Sequence, residues 1–359
     1  MGRSAVDDRW SRRRFLRTAG AGGLGLLSLP ALGAARTRPR TRPAVQPSTT
    51  NWARFGAFSE PVAPETSYVG SLKVFESAIG RQVAVYRTYR DWGQPIINST
   101  VTSLLARKTP PRLYISVHAF YQSKGRSDVQ WADIAAGKYN AQIDSWSTEL
   151  KTVTATTPVY MCFHHEMENE LGKCGTTADF QNAYWFFRNR VAVVNKVPNL
   201  TWVVTYMGNT FRGKHGGPGV WWPGKSQFGL PVDQLMGVDL YNRGLCHYKG
   251  WRTFDWLAAP AYQFAQQQKR PMFIGECGCV EGNACGGTGT LGVDKQNWLL
   301  DALTYMRDTA PSLGYGPLEA FCYSNVLGFN NGSYRIDSSP QATKGMTTLA
   351  SDPFFAEPA

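Results

Sequence analysis

Histidine is scarce in this 359-residue chain: there are five, His118, His164, His165, His215 and His247. A zinc centre needs three or four converging ligands, and His164-His165-Glu166 is not the helical His-Glu-x-x-His arrangement. No metal and no cofactor is therefore expected. A Gly-x-Ser-x-Gly elbow is absent, which argues against an α/β-hydrolase nucleophile. No glycine-rich phosphate fingerprint follows the first strand-like stretch, which argues against a dinucleotide site. There is no internal repeat beyond an alternation of short apolar and amphipathic segments. The one continuous weakly apolar run, Ala19 to Leu32, is too short and too rich in glycine to span a bilayer comfortably.

Acidic residues are also in deficit, and the formal charge is +12. The excess is local. Residues 1–42 hold ten Arg and two Asp, a net +8, which leaves +4 for the remainder. With no basic stripe in that remainder, a nucleic-acid partner is not expected. The arginines belong to two N-terminal features. Ser11-Arg12-Arg13-Arg14-Phe15-Leu16-Arg17 precedes the apolar run and the small residues Gly33-Ala34-Ala35, the pattern of a twin-arginine export signal over residues 1–35. Arg36 to Pro43 opens a Pro/Arg-rich linker, residues 36–50, whose composition cannot pack. No cysteine lies near the cleavage region to carry a lipid. The expectation is a secreted protein without a membrane anchor.

Residues 51–359 are expected to form one domain, with 43% hydrophobic residues in the whole chain to supply a core. Eight strand–helix units can be counted. Strand-like runs occur at 53–58, 83–87, 112–117, 159–166, 200–205, 236–240, 271–276 and 319–323. Helical spacing occurs at 67–79, 99–106, 139–153, 177–194, 254–267, 294–307 and 342–350. Between units five and six lies a long Gly- and Trp-rich segment, 207–232, with little helical periodicity. Such alternation indicates a parallel sheet covered by helices, and eight units favour a closed (β/α)8 barrel over an open sheet.

Two strands of this pattern end in a glutamate: Val159 to Glu166 and Pro271 to Glu276. Barrel enzymes present catalytic groups at the C-terminal tips of their strands. A pair of carboxyls there can act as acid and nucleophile, or as acid and base, toward a glycosidic bond. His118, at the tip of the third strand, reads as a cleft residue. Twelve Trp and sixteen Tyr serve a large core and suit a cleft that stacks on sugar faces.

His165-Glu166-Met167 after one strand, Gly275-Glu276 on a later one and Gly237-Val-Asp-Leu-Tyr241-Asn242 between them resemble glycoside hydrolase family 26. Phe75-Glu76 to Gly80-Arg81 and Trp131 to Tyr139 resemble that family's early segments, so the likeness runs from about Phe55 to Tyr323. It implies a (β/α)8 barrel, a retaining mechanism and chiefly β-1,4-mannan as substrate. It implies Glu166 as acid/base, Glu276 as nucleophile, His165 as a sugar-binding residue beside the scissile bond and Tyr241 as a hydrogen-bond donor to the nucleophile. Tyr323 takes the place of an aromatic platform. His165 can reach the mouth only if the strand end is irregular, because side chains alternate along a strand. The family commonly continues His-Glu-Met-Asn-Gly and then Trp; here Met167 is followed by Glu168-Asn169-Glu170. Mixed-linkage β-glucan or xylan therefore stay open as substrates, as does a non-catalytic sugar-binding barrel. A monomer acting on a polysaccharide is expected.

Seven cysteines in an exported chain permit disulfides. Position along the chain suggests Cys279–Cys285 and Cys174–Cys246, with Cys162, Cys277 and Cys322 as packing groups.

Overall fold

The computed structural model describes residues 52–122, 125–247, 250–328 and 332–356. The export signal and the linker expected over 1–50 lie outside them. Eight parallel strands close into a barrel: β1 (Arg54–Ser59), β2 (Val85–Arg90), β3 (Arg112–Val117), β4 (Val159–Phe163), β5 (Leu200–Met207), β6 (Leu235–Asn242), β7 (Met272–Cys279) and β8 (Leu318–Asn325). Each pairs with its neighbours in sequence, and β1 pairs with β8, so the sheet has no edge. The expected (β/α)8 architecture is what the chain forms.

Alternation along the strands sorts side chains into two cores. Val85, Tyr114, Tyr160, Cys162, Val203, Phe273 and Cys322 fill the barrel interior. Leu113, Ile115, Met161, Val238, Ile274 and Phe321 face the helices. Those helices are α1 (Tyr68–Ile79), α2 (Ser99–Leu105), α3 (Asn140–Thr154), α4 (Thr177–Asn189), α5 (Phe254–Gln267), α6 (Val293–Thr304) and α7 (Pro340–Ser351). Their starts are written in the sequence. The Ser67 hydroxyl accepts from Gly70 N at the head of α1, and Thr176 with Asp179 forms a capping box at the head of α4.

The fifth unit has short 3-10 turns where the others have a helix: Thr210–Arg212, Lys214–Gly216 and Pro218–Val220. Gly213, Gly216 and Gly217 all have positive φ, which breaks a helical path. The tryptophans of this segment do the covering. Trp221 packs edge-on to Trp131 and Phe180, and Trp222 edge-on to Phe264.

Neither expected disulfide forms. Cys246 is joined instead to Cys285, with Cα atoms 5.1 Å apart, tying the turn after β6 to the loop after β7. Strand geometry explains the difference. Cys279 still belongs to β7 and points, like Cys277, into the helix-facing core, where Asn242 Nδ2 lies 3.4 Å from its Sγ. Cys285 lies beyond the strand, over the turn of Cys246. Cys174 is buried, its thiol donating to Ala119 O at 3.4 Å.

Candidate active site

Two local irregularities build the site at the C-terminal mouth of the barrel. The first is in β7. Phe273 faces the interior, so unbroken alternation would send Glu276 outward with Met272 and Ile274. The pairing with β6 steps from Val238↔Ile274 to Asp239↔Glu276, passing over Gly275. This bulge turns Glu276 inward. Position 275 has no room for a side chain, since a Cβ there would lie 2.9 Å from Asp239 Oδ1 and 3.1 Å from Tyr114.

The second is the end of β4. His164 and Glu166 both adopt left-handed conformations, with φ 55° and 50°. The kink packs His164 against Trp131, whose indole N–H donates to Nδ1 at 3.0 Å, and burial holds that imidazole well below its ordinary pKa. His165 is turned into the mouth, as its expected role required. Its Nε2 lies 3.8 Å from Glu276 Oε1, and its Nδ1 shares a hydrogen bond of 2.8 Å with His118 Nε2. His118 Nδ1 in turn lies 3.4 Å from Asp91 Oδ1. Burial lowers the His118 pKa, partly opposed by Asp91. An acid, two imidazoles and a second acid thus run in line from the end of β2 to β7.

Glu276 is 1% exposed and held from three sides. Tyr241 donates to Oε2 at 2.7 Å, Tyr89 donates to Oε1, and Arg87 Nη2 stands 3.7 Å from Oε1. An acceptor-only carboxylate satisfies both phenol donors. Arg87 is fully buried inside the barrel, with its guanidinium 3.7 Å from the Tyr114 ring centroid and 4.4 Å from that of Tyr89. Burial acts to lower its pKa, but Tyr114, Tyr89 and Asp239 outweigh that and raise it. His165, Asp239 and Glu276 present ligand atoms within 4.8 Å of one another. Arg87 already brings positive charge to that point, so the protein itself answers the two acids.

Glu166 is half-buried just past the end of β4. Its backbone N donates to Thr205 O at 2.8 Å, and Asn169 Nδ2 donates to its Oε2 at 3.2 Å. The loop beyond is pinned by Arg126, which forks onto Glu170 from the hairpin after β3.

The structure therefore brings His118, His165, Tyr241 and Glu276 together, with Glu166 next to His165 in the chain. Tyr323 does not join them. It lies on the helix-facing side of β8, fully buried, stacked on Phe75 and donating to Tyr334 O at 2.5 Å. One residue on, Ser324 faces the mouth, 2.9 Å from Tyr241 Oη. The aromatic wall there comes from Tyr334, whose ring centroid is 4.8 Å from that of Tyr241. Sequence reasoning does not find Arg87, Tyr89 and Asp91. Their spacing of two along and just past β2 is the available signal.

No protein-family model matches the sequence, and no curated protein matches it. Solved structures do resemble it. The Bacillus subtilis mannanase BCman is 17% identical, with a TM-score of 0.54 over 85% of this chain and 86% of that one. GH26C from a Muricauda species is 14% identical, with a TM-score of 0.57 over 85% and 86%. A modular endo-β-1,4-mannanase from Cellulomonas fimi, from glycoside hydrolase family 26, is 15% identical, with a TM-score of 0.53 over 84% and 71%. The barrel fold of this chain is thus the one seen in solved family 26 structures.

Proposed function

We propose that this protein is a secreted, endo-acting retaining glycoside hydrolase that cleaves internal β-1,4-mannosidic bonds. The observation that carries the reading is Glu276: a buried carboxyl turned into a barrel mouth by a bulge and fixed by two phenols and a guanidinium. A nucleophile must be ionised and immobile, and this setting favours both. Glu166, half-buried and next to His165, is the acid/base. It protonates the leaving oxygen while Glu276 attacks the anomeric carbon. It then takes a proton from water as the glycosyl-enzyme is hydrolysed. His165 and Tyr241 flank Glu276 and would meet the sugar beside the scissile bond. His118 acts through His165.

Mannan is preferred because the solved structures of this fold include proteins named as mannanases. The loop after β4, where Glu168-Asn169-Glu170 follows Met167, favours keeping a second β-glycan in the test. Purified mannan, mixed-linkage β-glucan and xylan should be incubated separately and product size followed over time. Short oligomers appearing early from mannan are the expected result. Release from glucan or xylan alone would move the substrate. Tight binding without new reducing ends would replace the enzyme by a sugar-binding protein.

Export is proposed to follow the twin-arginine route. No helix among the described residues is long and apolar enough to cross a membrane. Changing Arg12 and Arg13 to Lys is expected to leave the protein in the cytoplasm; undiminished secretion would remove the assignment.

A further inference from the structure

The turn that carries Glu166 holds a second acid, which the proposed mechanism does not use. Glu168 sits on the one-turn 3-10 helix Met167–Glu170 and is 2% exposed. Its Oε1 accepts from Thr210 Oγ1 at 2.7 Å and from Met207 N at 3.2 Å. These donors are the last residue of β5 and the turn just after it. Oε2 is buried and has no hydrogen-bond partner.

The attachments flank the catalytic carboxyl in sequence. Glu166 N is tied to Thr205 O at 2.8 Å, and Glu168 is tied two residues farther along the same strand. Asn169 closes the turn, its N donating to Glu166 O at 3.0 Å and its side chain to Glu166 Oε2 at 3.2 Å. Glu166 has left the β4 ladder and is left-handed. These bonds therefore help to orient it where regular strand pairing has ended.

The surroundings also set the charge of Glu168. Burial pushes its carboxyl up to about 8; the Thr210 and Met207 bonds oppose the rise and the like charge of Glu166 adds to it. Glu166 on its own turn and Tyr206 on β5 are titratable groups coupled to it. Neither can supply positive charge. A carboxyl so placed favours its protonated form at neutral pH, and in that form it does not repel Glu166 two residues away.

Resting on the reading of Glu166 as acid/base, we propose that Glu168 is a positioning residue that fastens the turn bearing Glu166 to the end of β5. Substituting it disturbs Glu166 without touching substrate.

The test titrates mature protein labelled with 13C at the glutamate carboxyls. The Glu166 and Glu168 signals are identified by their loss in E166Q and E168Q. Glu168 is expected to remain protonated at pH 7. In E168A the titration midpoint of Glu166 should move by about half a unit or more, and in E168Q, which keeps an Oε1 acceptor, by less. T210V removes one donor to Glu168 while keeping every residue of the turn itself, and should move Glu166 the same way even if E168A does not fold. On the polysaccharide that the wild type cleaves, E168A should lower kcat by about 10- to 100-fold with KM nearly constant, and E168Q should restore most of it. A Glu168 carboxyl already ionised at pH 5 overturns the proposal. So does a Glu166 titration unmoved in both E168A and T210V. These titrations need no turnover. A wild type that hydrolyses nothing would defeat the catalytic reading, while the spectra alone would still decide whether Glu168 positions Glu166.

Discussion

Replacing Glu276 by alanine is expected to lower kcat by on the order of 10^4-fold or more on every substrate, whatever its leaving group. The reasoning starts from what surrounds the carboxyl. Tyr89, Tyr241 and Arg87 converge on its two oxygens, and none of them is placed to attack an anomeric carbon in its stead. Tyr241 and Tyr89 are donors, and Arg87 is a cation with no lone pair to offer. Removing the carboxylate therefore removes both the formation and the breakdown of a glycosyl-enzyme, so a better leaving group cannot compensate. Arg87 keeps the charge of Asp239 nearby, so the barrel should persist. E276Q preserves the volume and serves as the control for packing. The check is single-turnover and steady-state hydrolysis of polymer and aryl glycoside, beside circular dichroism. Activity within about tenfold of wild type in both variants would exclude Glu276 as nucleophile. Any azide rescue of E276A should yield the α-glycosyl azide, because the small anion then attacks from the face that Glu276 occupied.

How far the sequence anticipates this site depends on the kind of order involved. Barrel strands and helix starts are periodic or local, and both are legible: the eight apolar runs become the eight strands, and Ser67 and Thr176 cap the helices expected to begin at 67 and 177. The catalytic candidates are legible as residues at strand ends, but their directions are not. Alternation alone would turn Glu276 outward, and only the bulge at Gly275 reverses it. The same alternation would hide His165, until left-handed His164 and Glu166 break the strand. Both irregularities depend on what a neighbouring strand will accept, and a single segment does not record that. Tyr323 fails as a platform for the opposite reason. Alternation along its own strand is unbroken there although the pairing with β7 shifts beside it, and it puts Tyr323 against Phe75 and Ser324 in the mouth. The disulfide is not legible because proximity along the chain is a poor guide to proximity in space. Cys279 is six residues from Cys285 but faces away from it, whereas Cys246 is 39 residues away and reaches it. Arg87 is hard to single out in the sequence because β2, Val-Tyr-Arg-Thr-Tyr-Arg, carries two arginines and neither gives a hint of the two acids waiting on β6 and β7.

Glu166→Ala should behave differently from Glu276→Ala, and the difference identifies the roles. Glu166 is half-buried, bonded at Oε2 by Asn169 and placed at the rim rather than in the barrel interior. As general acid it matters to the first step in proportion to how badly the leaving group needs a proton. Polymer cleavage, with a sugar hydroxyl departing, should fall by on the order of 10^3-fold, within the span assigned to general acid–base catalysis. An aryl glycoside whose phenol leaves unaided should keep most of its first step. The second step still lacks its base, so the glycosyl-enzyme should accumulate and appear as a burst of phenol followed by slow turnover. Azide needs no deprotonation. Added to this variant, it should enter the space left by the carboxyl, raise the slow phase and give a β-glycosyl azide. Adding it to wild type should change little, because the Glu166 carboxylate would repel the anion. Three observations would each break this assignment: equal losses on polymer and aryl substrate, no burst, or an α-azide from this variant. The last would exchange the two glutamates, leaving Glu276, with its two phenols and its arginine, as the acid, a role for which that setting is poorly made because the phenols and the guanidinium all stabilise negative charge.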